Sequence, residues 1–236
     1  MPGFAMAEIR QTSANIMKKI ALINETNLNL YIANIKSTYY QALQYPTIVN
    51  TGVNWYPTAN LIAQGLSKRH NINLEIACGV IAALSPNNRW ERNLIDADLM
   101  LKHFKLGDKI DSFKVATYNH NKDKAWQIVH GIDSLEVLKG DKTRSFYECI
   151  LNPSCDSVCI DSHAINIALG RQETIAKTQG LTSPKYWLLS KAYRIATNEI
   201  NQESLESKVQ CMQVQSVTWT LYRVLRGIDN THIIGE

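Results

Sequence analysis

Apolar residues recur along this chain at the three- and four-residue spacing of an amphipathic helix, and this pattern constrains the fold most. The spacing is clear in Ile16, Ile20 and Ile23 near the start, and again in Val214 and Val217 near the end. The sequence therefore predicts an all-α protein.

Turn-forming residues divide the periodic stretches into segments of helical length. The chain has 236 residues, 45% of them hydrophobic, which is enough for one large or two small domains. The turns predict about ten helices with short connections. They lie at Tyr45-Pro46, 50–52, Tyr56-Pro57, Ser85-Pro86, Gly107-Asp108, Gly131, Gly140, Asn152-Pro153, Gly170, Gly180 and Ser183-Pro184.

Charge and cysteine content indicate the possible partners and the cellular compartment of the protein, but they say little about its activity. The formal charge of +4 permits DNA binding through a local basic face without requiring it. Five cysteines without a regular framework, in a chain with no signal peptide, indicate reduced thiols in a cytoplasmic compartment. No apolar run is long enough to span a bilayer, so we expect no membrane partner.

A single carboxylate, Asp161, stands between the apolar run 158–160 and an apolar helix that starts near His163. A charge in apolar surroundings needs compensating donors, and the free N–H groups of a helix N-terminus supply them. Asp161 or Ser162 is therefore predicted to cap this helix. A catalytic carboxylate fits the same position, and both interpretations stay open.

Residues 138–145, reading LKGDKTRS, form a glycine turn before a helix that opens with Lys142 and Thr143. Lys142 and Asp161 are nineteen residues apart, which leaves room for one helix and a return loop at Asn152-Pro153. Both side chains could then face one cleft.

The segment GDKT followed by IDSH resembles the G-x-K-T and V-D-T-H segments of helix-hairpin-helix DNA glycosylases, the superfamily of endonuclease III. Residues 74–104 resemble its buried helix, DNA-contacting turn and following helix, and residues 121–128 resemble the start of another DNA-facing helix. Residues 53–66, with SPNNRWERN, are similar to a divergent group of phage and bacterial proteins without an assigned reaction.

The resemblance implies a helical barrel, residues 73–158, inserted between packed terminal helices, residues 1–72 together with 159–236. The barrel's hairpin is degenerate, because Gly140 remains of its usual two glycines and Leu138 stands in place of the other. The iron–sulfur cysteines of some relatives are absent, so no cofactor is expected.

Two cysteines and a histidine recur at four-residue spacing with another cysteine upstream, and these residue types can bind zinc. No CxxC pair is present, so we expect no metal. The residues concerned are Cys149, Cys155, Cys159 and His163.

By resemblance, the chemistry is cleavage of the N-glycosidic bond of a damaged or modified base, such as a hypermodified pyrimidine of phage DNA. Asp161 would stabilise the oxocarbenium-like sugar or activate water. Lys142 would either attack the sugar as an AP-lyase nucleophile or contact a phosphate.

The implied partner is double-stranded DNA, bound by a monomer in the bacterial cytoplasm or nucleoid in base excision repair or phage defence. Flipping a nucleotide leaves a gap in the stack, which Asn87, Asn88 or Arg89 could fill. Asn87, Asn88 and Arg89 also suit an ordinary solvated turn. The basic residues named next also suit a solvated helix face, and the aromatic residues also suit core packing. Predicted phosphate contacts are Lys122, Lys124, Lys139 and Arg144, and Gly140 and His163 are further predicted DNA-binding residues. Predicted base-pocket residues are Trp90, Trp55, Tyr56 and Tyr39.

Two other functions remain open. One is a transferase of similar fold that modifies a base in phage DNA and keeps the glycosidic bond. The other is a catalytically inert DNA-binding module in which Asp161 serves only as a helix cap.

Overall fold

The computed structural model describes residues 27–174, 178, 181–204 and 208–228. These residues form helices joined by turns and loops and contain no strand, which confirms the all-α prediction. The helices are α1 (27–42), α2 (Pro46–Val53), α3 (Trp55–His70), α4 (Leu74–Leu84), α5 (Trp90–Lys105), a 3-10 turn (Ile110–Ser112), α6 (Asn119–Val129), α7 (Ser134–Val137), α8 (Asp141–Leu151), α9 (Ser162–Leu169), α10 (Ser183–Glu203) and α11 (Cys211–Leu225).

Several helix ends follow from local sequence. Prolines occupy the first turns of α2 and α10, where a missing N–H costs no helical hydrogen bond. Asp133 caps α7 by accepting from two backbone N–H groups. Helix α9 ends at Gly170, whose φ of +65° is left-handed and open to glycine at little cost. The predicted turns at Tyr45-Pro46, Gly170 and Ser183-Pro184 therefore mark helix boundaries. The turns predicted at 50–52 and Tyr56-Pro57 were wrong, because these residues lie inside α2 and α3, and Pro57 is tolerated in the first turn of α3. The turn predicted at Gly180 falls outside the described residues.

The first hydrophobic core is built around α4, which is buried from Ala77 to Leu84. Helices α3, α5, α6 and α8 pack against it. A helix buried on all sides must be apolar all round, and the sequence ACGVIAAL meets that requirement. The resemblance-based expectation of a buried helix within residues 74–104 agrees with this arrangement.

The second hydrophobic core joins α1, α2, α9, α10 and α11. Helix α11 lies directly on α2, since a Cβ at Gly52 would come within 2.5 Å of the Cα of Val217. The hydroxyl of Ser216 donates to the carbonyl of Gly52 at 2.7 Å across the same contact. This close approach fixes the position of α11, which carries part of the site described below.

A segment without regular secondary structure, residues 158–160, passes from one core to the other. Val158 is buried in the second core and Cys159 in the first. The hydroxyl of Tyr186 donates to the Val158 carbonyl at 2.9 Å and accepts from the Ile160 N–H at 3.1 Å. Asp161 therefore emerges where the two cores meet.

The predicted domain division at residues 72 and 158 stays a prediction. Helix α3, assigned by that prediction to the terminal helices, contributes Tyr56, Ala59, Ala63 and Leu66 to the first core. In the part of the chain that the structure describes, no helix is both long enough and apolar enough to cross a membrane.

Candidate active site around Asp161

Asp161 is the N-cap of α9, as predicted. Its Oδ1 accepts from the backbone N–H of Ala164 at 2.8 Å. Its Oδ2 accepts from the indole Nε1 of Trp219 at 2.9 Å. The side chain is partly exposed, so a carboxylate oriented from two sides remains within reach of a ligand.

Four aromatic side chains meet beside this carboxylate, one from each of α3, α5, α8 and α11. The ring of Trp55 lies 5.0 Å from Trp90, 5.9 Å from Phe146 and 6.2 Å from Trp219, measured between centroids. All four are partly exposed, and we call them the aromatic group. Such a surface can bind a flat ring by stacking.

Tyr56 packs against the aromatic group from the interior of the protein. Its ring contacts Trp55 at 4.9 Å and Phe146 at 6.4 Å, while the residue is only 3% exposed. Its hydroxyl donates to the Oε1 of Gln215 at 3.2 Å. Tyr56 therefore underlies the predicted base pocket without offering its own face to a ligand.

His163 also contacts Trp219, with ring centroids 6.1 Å apart. Burial lowers the pKa of His163 below its ordinary value of 6.5; Asp161 opposes this shift, and Arg223 and Lys142 add to it. The imidazole is therefore neutral at neutral pH. The guanidinium of Arg223 stacks 4.5 Å above the Trp219 ring.

Lys142 stands exposed in the first turn of α8, and its carbonyl accepts from the Cys159 thiol at 3.8 Å. Burial raises the pKa of Cys159 to about 12, with Lys142 opposing the rise and Asp161 adding to it. Lys142 and Asp161 also both act on His163. Lys142 and Asp161 are thus both near enough to Cys159 and His163 to influence the pKa values of these two side chains.

The turn between α4 and α5 leads directly into Trp90 of the aromatic group. Asn87 is exposed with a left-handed φ of +56°, and Arg89 is exposed at the start of α5. Asn88 instead points inward, where its Nδ2 donates to the carboxylate of Asp96 at 3.0 Å. Asn87 and Arg89 are accessible to a partner, whereas Asn88 anchors the turn.

Lys122 requires a correction, because the structure places it inside the protein. It is 8% exposed, its Nζ donates to the carbonyls of Ile110 (2.5 Å) and Phe113, and it lies 4.2 Å from the Phe113 ring centroid. An ammonium group engaged in this way holds the 110–113 turn in place. It does not reach a phosphate on the surface.

The other predicted DNA-binding residues around the turn into α8 and on α6 lie nearer to solvent than Lys122. Lys139 and Arg144 are exposed on either side of the turn into α8, and Lys124 is half-buried. Gly140 caps α8, and its carbonyl accepts from the Arg144 N–H at 3.0 Å.

Tyr39 is not part of the aromatic group. It lies on α1, 5% exposed, within the second core. Its ring contact is with Tyr40 at 6.1 Å, and none of the four aromatic-group members packs against that core. Tyr39 is therefore a packing residue at a different place in the fold.

Sequence reasoning missed Trp219, Phe146 and Arg223. Trp219 and Arg223 are four residues apart, and Tyr222, which contacts His163 at 5.4 Å, lies between them. This i, i+3, i+4 spacing places all three on one face of α11 and could have marked a second functional face. The apolar residues Val214 and Val217 were sufficient to predict the helix, so the second face of α11 was overlooked.

In the described ranges, no three His, Cys, Asp or Glu side chains converge as a metal site would require. Residues 17–226 match a family described as "Family of unknown function (DUF7178)". No curated protein and no solved structure matches the chain.

Proposed function

The chain belongs to DUF7178, a family of unknown function, and on that premise we propose that it is a DNA glycosylase of the helix-hairpin-helix superfamily. It flips a damaged or modified base out of duplex DNA and cleaves the base–sugar bond. One observation carries the proposal: the Asp161 carboxylate, oriented by Trp219 and Ala164, lies at the edge of a partly exposed aromatic group.

The aromatic group supplies binding energy for a flipped base. Extruding a nucleotide costs a few kcal/mol. Stacking of a base on an aromatic side chain is worth about 1–3 kcal/mol. The rings of Trp55, Trp90 and Trp219 are partly exposed, and Arg223 lies over the ring of Trp219. Their stacking would offset much of the extrusion cost.

Asp161 supplies the charge that bond cleavage needs. As the bond from the sugar C1′ to the base nitrogen breaks, its electron pair goes to the base and positive charge develops on the sugar. A carboxylate held in advance stabilises that charge without reorganising. Water then attacks C1′, and Asp161 accepts the proton that the water loses.

His163 and Lys142 set the conditions around that carboxylate. A neutral His163 neither pairs with Asp161 as a cation nor repels the developing sugar cation. Lys142 stands in the first turn of α8, where free N–H groups favour a phosphate. As a nucleophile it would instead form a Schiff base with C1′ and nick the strand. Strand nicking separates its two roles.

The test compares wild-type protein with Asp161→Asn on two genomic DNAs, one unmodified and one from a phage with hypermodified pyrimidines. Released bases and abasic sites are measured by mass spectrometry. Asparagine still caps a helix, so the variant should keep its fold, which circular dichroism checks. Asp123→Asn, an exposed carboxylate on α6, is the matched control.

Base release by wild type and Asp123→Asn but not by Asp161→Asn would support the proposal. No release from either DNA would overturn it. In that case a covalently altered base would indicate the transferase. Binding that weakens with salt and is unchanged in Asp161→Asn, with no product, would indicate the inert module.

A further inference from the structure

Two arginines, Arg223 and Arg226, stand at the end of α11, one in its last turn and one as its C-cap. The sequence has no aspartate or glutamate from position 208 to position 228, so neither arginine has an acidic neighbour on its own helix. Basic side chains at a helix C-terminus complement the helix dipole. The dipole accounts for the residue type, but it does not account for where the two guanidinium groups are held.

Each arginine lies over the aromatic ring four residues before it. The guanidinium of Arg223 is 4.5 Å from the ring centroid of Trp219, and that of Arg226 is 5.2 Å from the ring centroid of Tyr222. Side chains at this spacing are neighbours on a helix surface. Stacking uses the face of a guanidinium, whereas an anion binds at its edge. The rings therefore hold both cations in orientations that remain compatible with anion binding.

The two rings are themselves attached to α9. The indole Nε1 of Trp219 donates to the Oδ2 of Asp161 at 2.9 Å, and the hydroxyl of Tyr222 accepts from the Nδ2 of Asn166 at 3.2 Å. The imidazole of His163 contacts both rings, at centroid distances of 6.1 and 5.4 Å. The two guanidinium groups thus rest on rings that are fixed by a second helix, which reduces the entropy that anion binding would cost.

The two arginines reach the surface beside the candidate active site. Arg226 is exposed and Arg223 is partly exposed. Their spacing places both on the face of α11 that carries Trp219, opposite to Val217, which is buried in the second core. Positive charge is therefore presented on the same side of α11 as the indole that orients Asp161.

We propose that Arg223 and Arg226 bind neighbouring phosphates of one nucleic-acid strand, next to the nucleotide whose base enters the aromatic group. A guanidinium suits phosphate because two of its N–H groups can bind two oxygens at once. Residues three apart on a helix have Cβ atoms about 5–6 Å from each other, which lets two long side chains reach successive phosphates. A nucleic-acid strand carries flat rings and phosphates together, and this surface carries partners for both. The inference rests on the proposed DNA substrate, but not on cleavage of a base.

The test measures the affinity for a short mixed-sequence DNA duplex without modified bases, by fluorescence anisotropy at several salt concentrations. Each phosphate contact contributes about 0.9 to the slope of log K against log salt. Arg223→Gln and Arg226→Gln should each reduce that slope by about one and weaken binding by about tenfold. Arg69→Gln, which alters an exposed arginine in the last turn of α3, should leave the slope unchanged.

A conservative variant separates phosphate binding from a structural role. Arg226→Lys keeps the charge, so it should keep the salt slope, while affinity falls because an ammonium lacks the planar pair of donors. Arg226 is exposed, so its variants should fold even if Arg223→Gln does not, which urea denaturation checks. Variants that lose stability but keep the wild-type slope would overturn the inference.

Two further outcomes distinguish this inference from the proposed glycosylase activity. Reduced slopes in the arginine variants without base release by the wild type would support the phosphate contacts and overturn the glycosylase. Base release with unchanged slopes would do the reverse. Wild-type protein whose binding to the duplex does not depend on salt would also overturn the phosphate contacts.

Discussion

The indole Nε1 of Trp219 donates to the Oδ2 of Asp161 at 2.9 Å, although the two residues are 58 positions apart. The same indole lies 6.2 Å from Trp55 and carries Arg223 above its face. Trp219 therefore connects the carboxylate, the aromatic group and a cation. Hydrogen bonds to charged groups are among the stronger ones in proteins, so this contact should be measurable.

Replacing Trp219 by Phe keeps an aromatic ring and removes the N–H donor to Asp161. We expect the free energy of unfolding to fall by about 1–2 kcal/mol, because the carboxylate loses one of its two donors. Under the proposed function, base release should also fall, by up to about 100-fold, since a misplaced catalytic group is costly. Urea denaturation followed by circular dichroism measures the first effect. Trp187→Phe, which alters a half-exposed indole on α10, is the control. Equal stability of the two variants would contradict a structural role for the bond.

The two hydrogen bonds of Asp161 differ in whether the sequence could predict them. The cap of α9 is a local property, because a carboxylate directly before an apolar helix has free N–H groups within reach. The bond to Trp219 depends on the packing of α11 against α9 and α2, which no local pattern encodes. The helices and the cap could be predicted, but the indole donor could not.

Lys122 illustrates the converse problem. A lysine in a polar stretch beside a turn looks exposed, and the sequence NKDKAWQI favours a surface role. Its burial depends on the 110–113 turn, which folds back and presents two carbonyls to the ammonium. Lysine stems pack well against apolar surface, so burial of this kind leaves no signature in the local sequence.

Replacing Lys122 by Met should therefore destabilise the protein. The carbonyls of Ile110 and Phe113 lose their donor, and we expect a loss of about 1–3 kcal/mol in urea denaturation. Lys139→Met, at an exposed position, should change stability by less than about 0.5 kcal/mol. If DNA is bound, the Lys139 variant should reduce the salt dependence of binding and the Lys122 variant should not. A stable Lys122 variant with a reduced salt dependence of DNA binding would instead indicate that Lys122 is exposed and contacts DNA.

The pKa of His163 predicts a pH dependence of stability. Because burial holds this pKa below 6.5 in the folded protein, the unfolded chain binds more protons in the window between the folded value and 6.5. Stability should therefore fall as the pH drops from 6.5 through the folded pKa. His163→Gln should lose less stability over this window than wild type in urea denaturation. His120→Gln, at an exposed histidine of α6, should behave like wild type. A His163 variant with the wild-type slope would refute the assignment.

The contact between α2 and α11 predicts that Gly52 cannot be replaced by alanine without loss of stability, and Gly65 in α3 provides the control. A Cβ at Gly52 would lie 2.5 Å from the Cα of Val217 and 2.8 Å from its N, and backbone atoms cannot move aside as a side-chain end can. Gly52→Ala should therefore push α11 away and lower the free energy of unfolding by about 1–3 kcal/mol or more.

Gly65→Ala, within α3, meets nothing within 4 Å and should instead stabilise by about 0.5–1 kcal/mol, because alanine loses less backbone entropy in a helix. Chemical denaturation of both variants shows whether each substitution raises or lowers the free energy of unfolding. Displacement of α11 also carries Trp219 away from Asp161, so Gly52→Ala should reduce any activity of this site more than Gly65→Ala does. If both variants proved equally stable, α11 would have room to move, and the orientation of Asp161 would need another source.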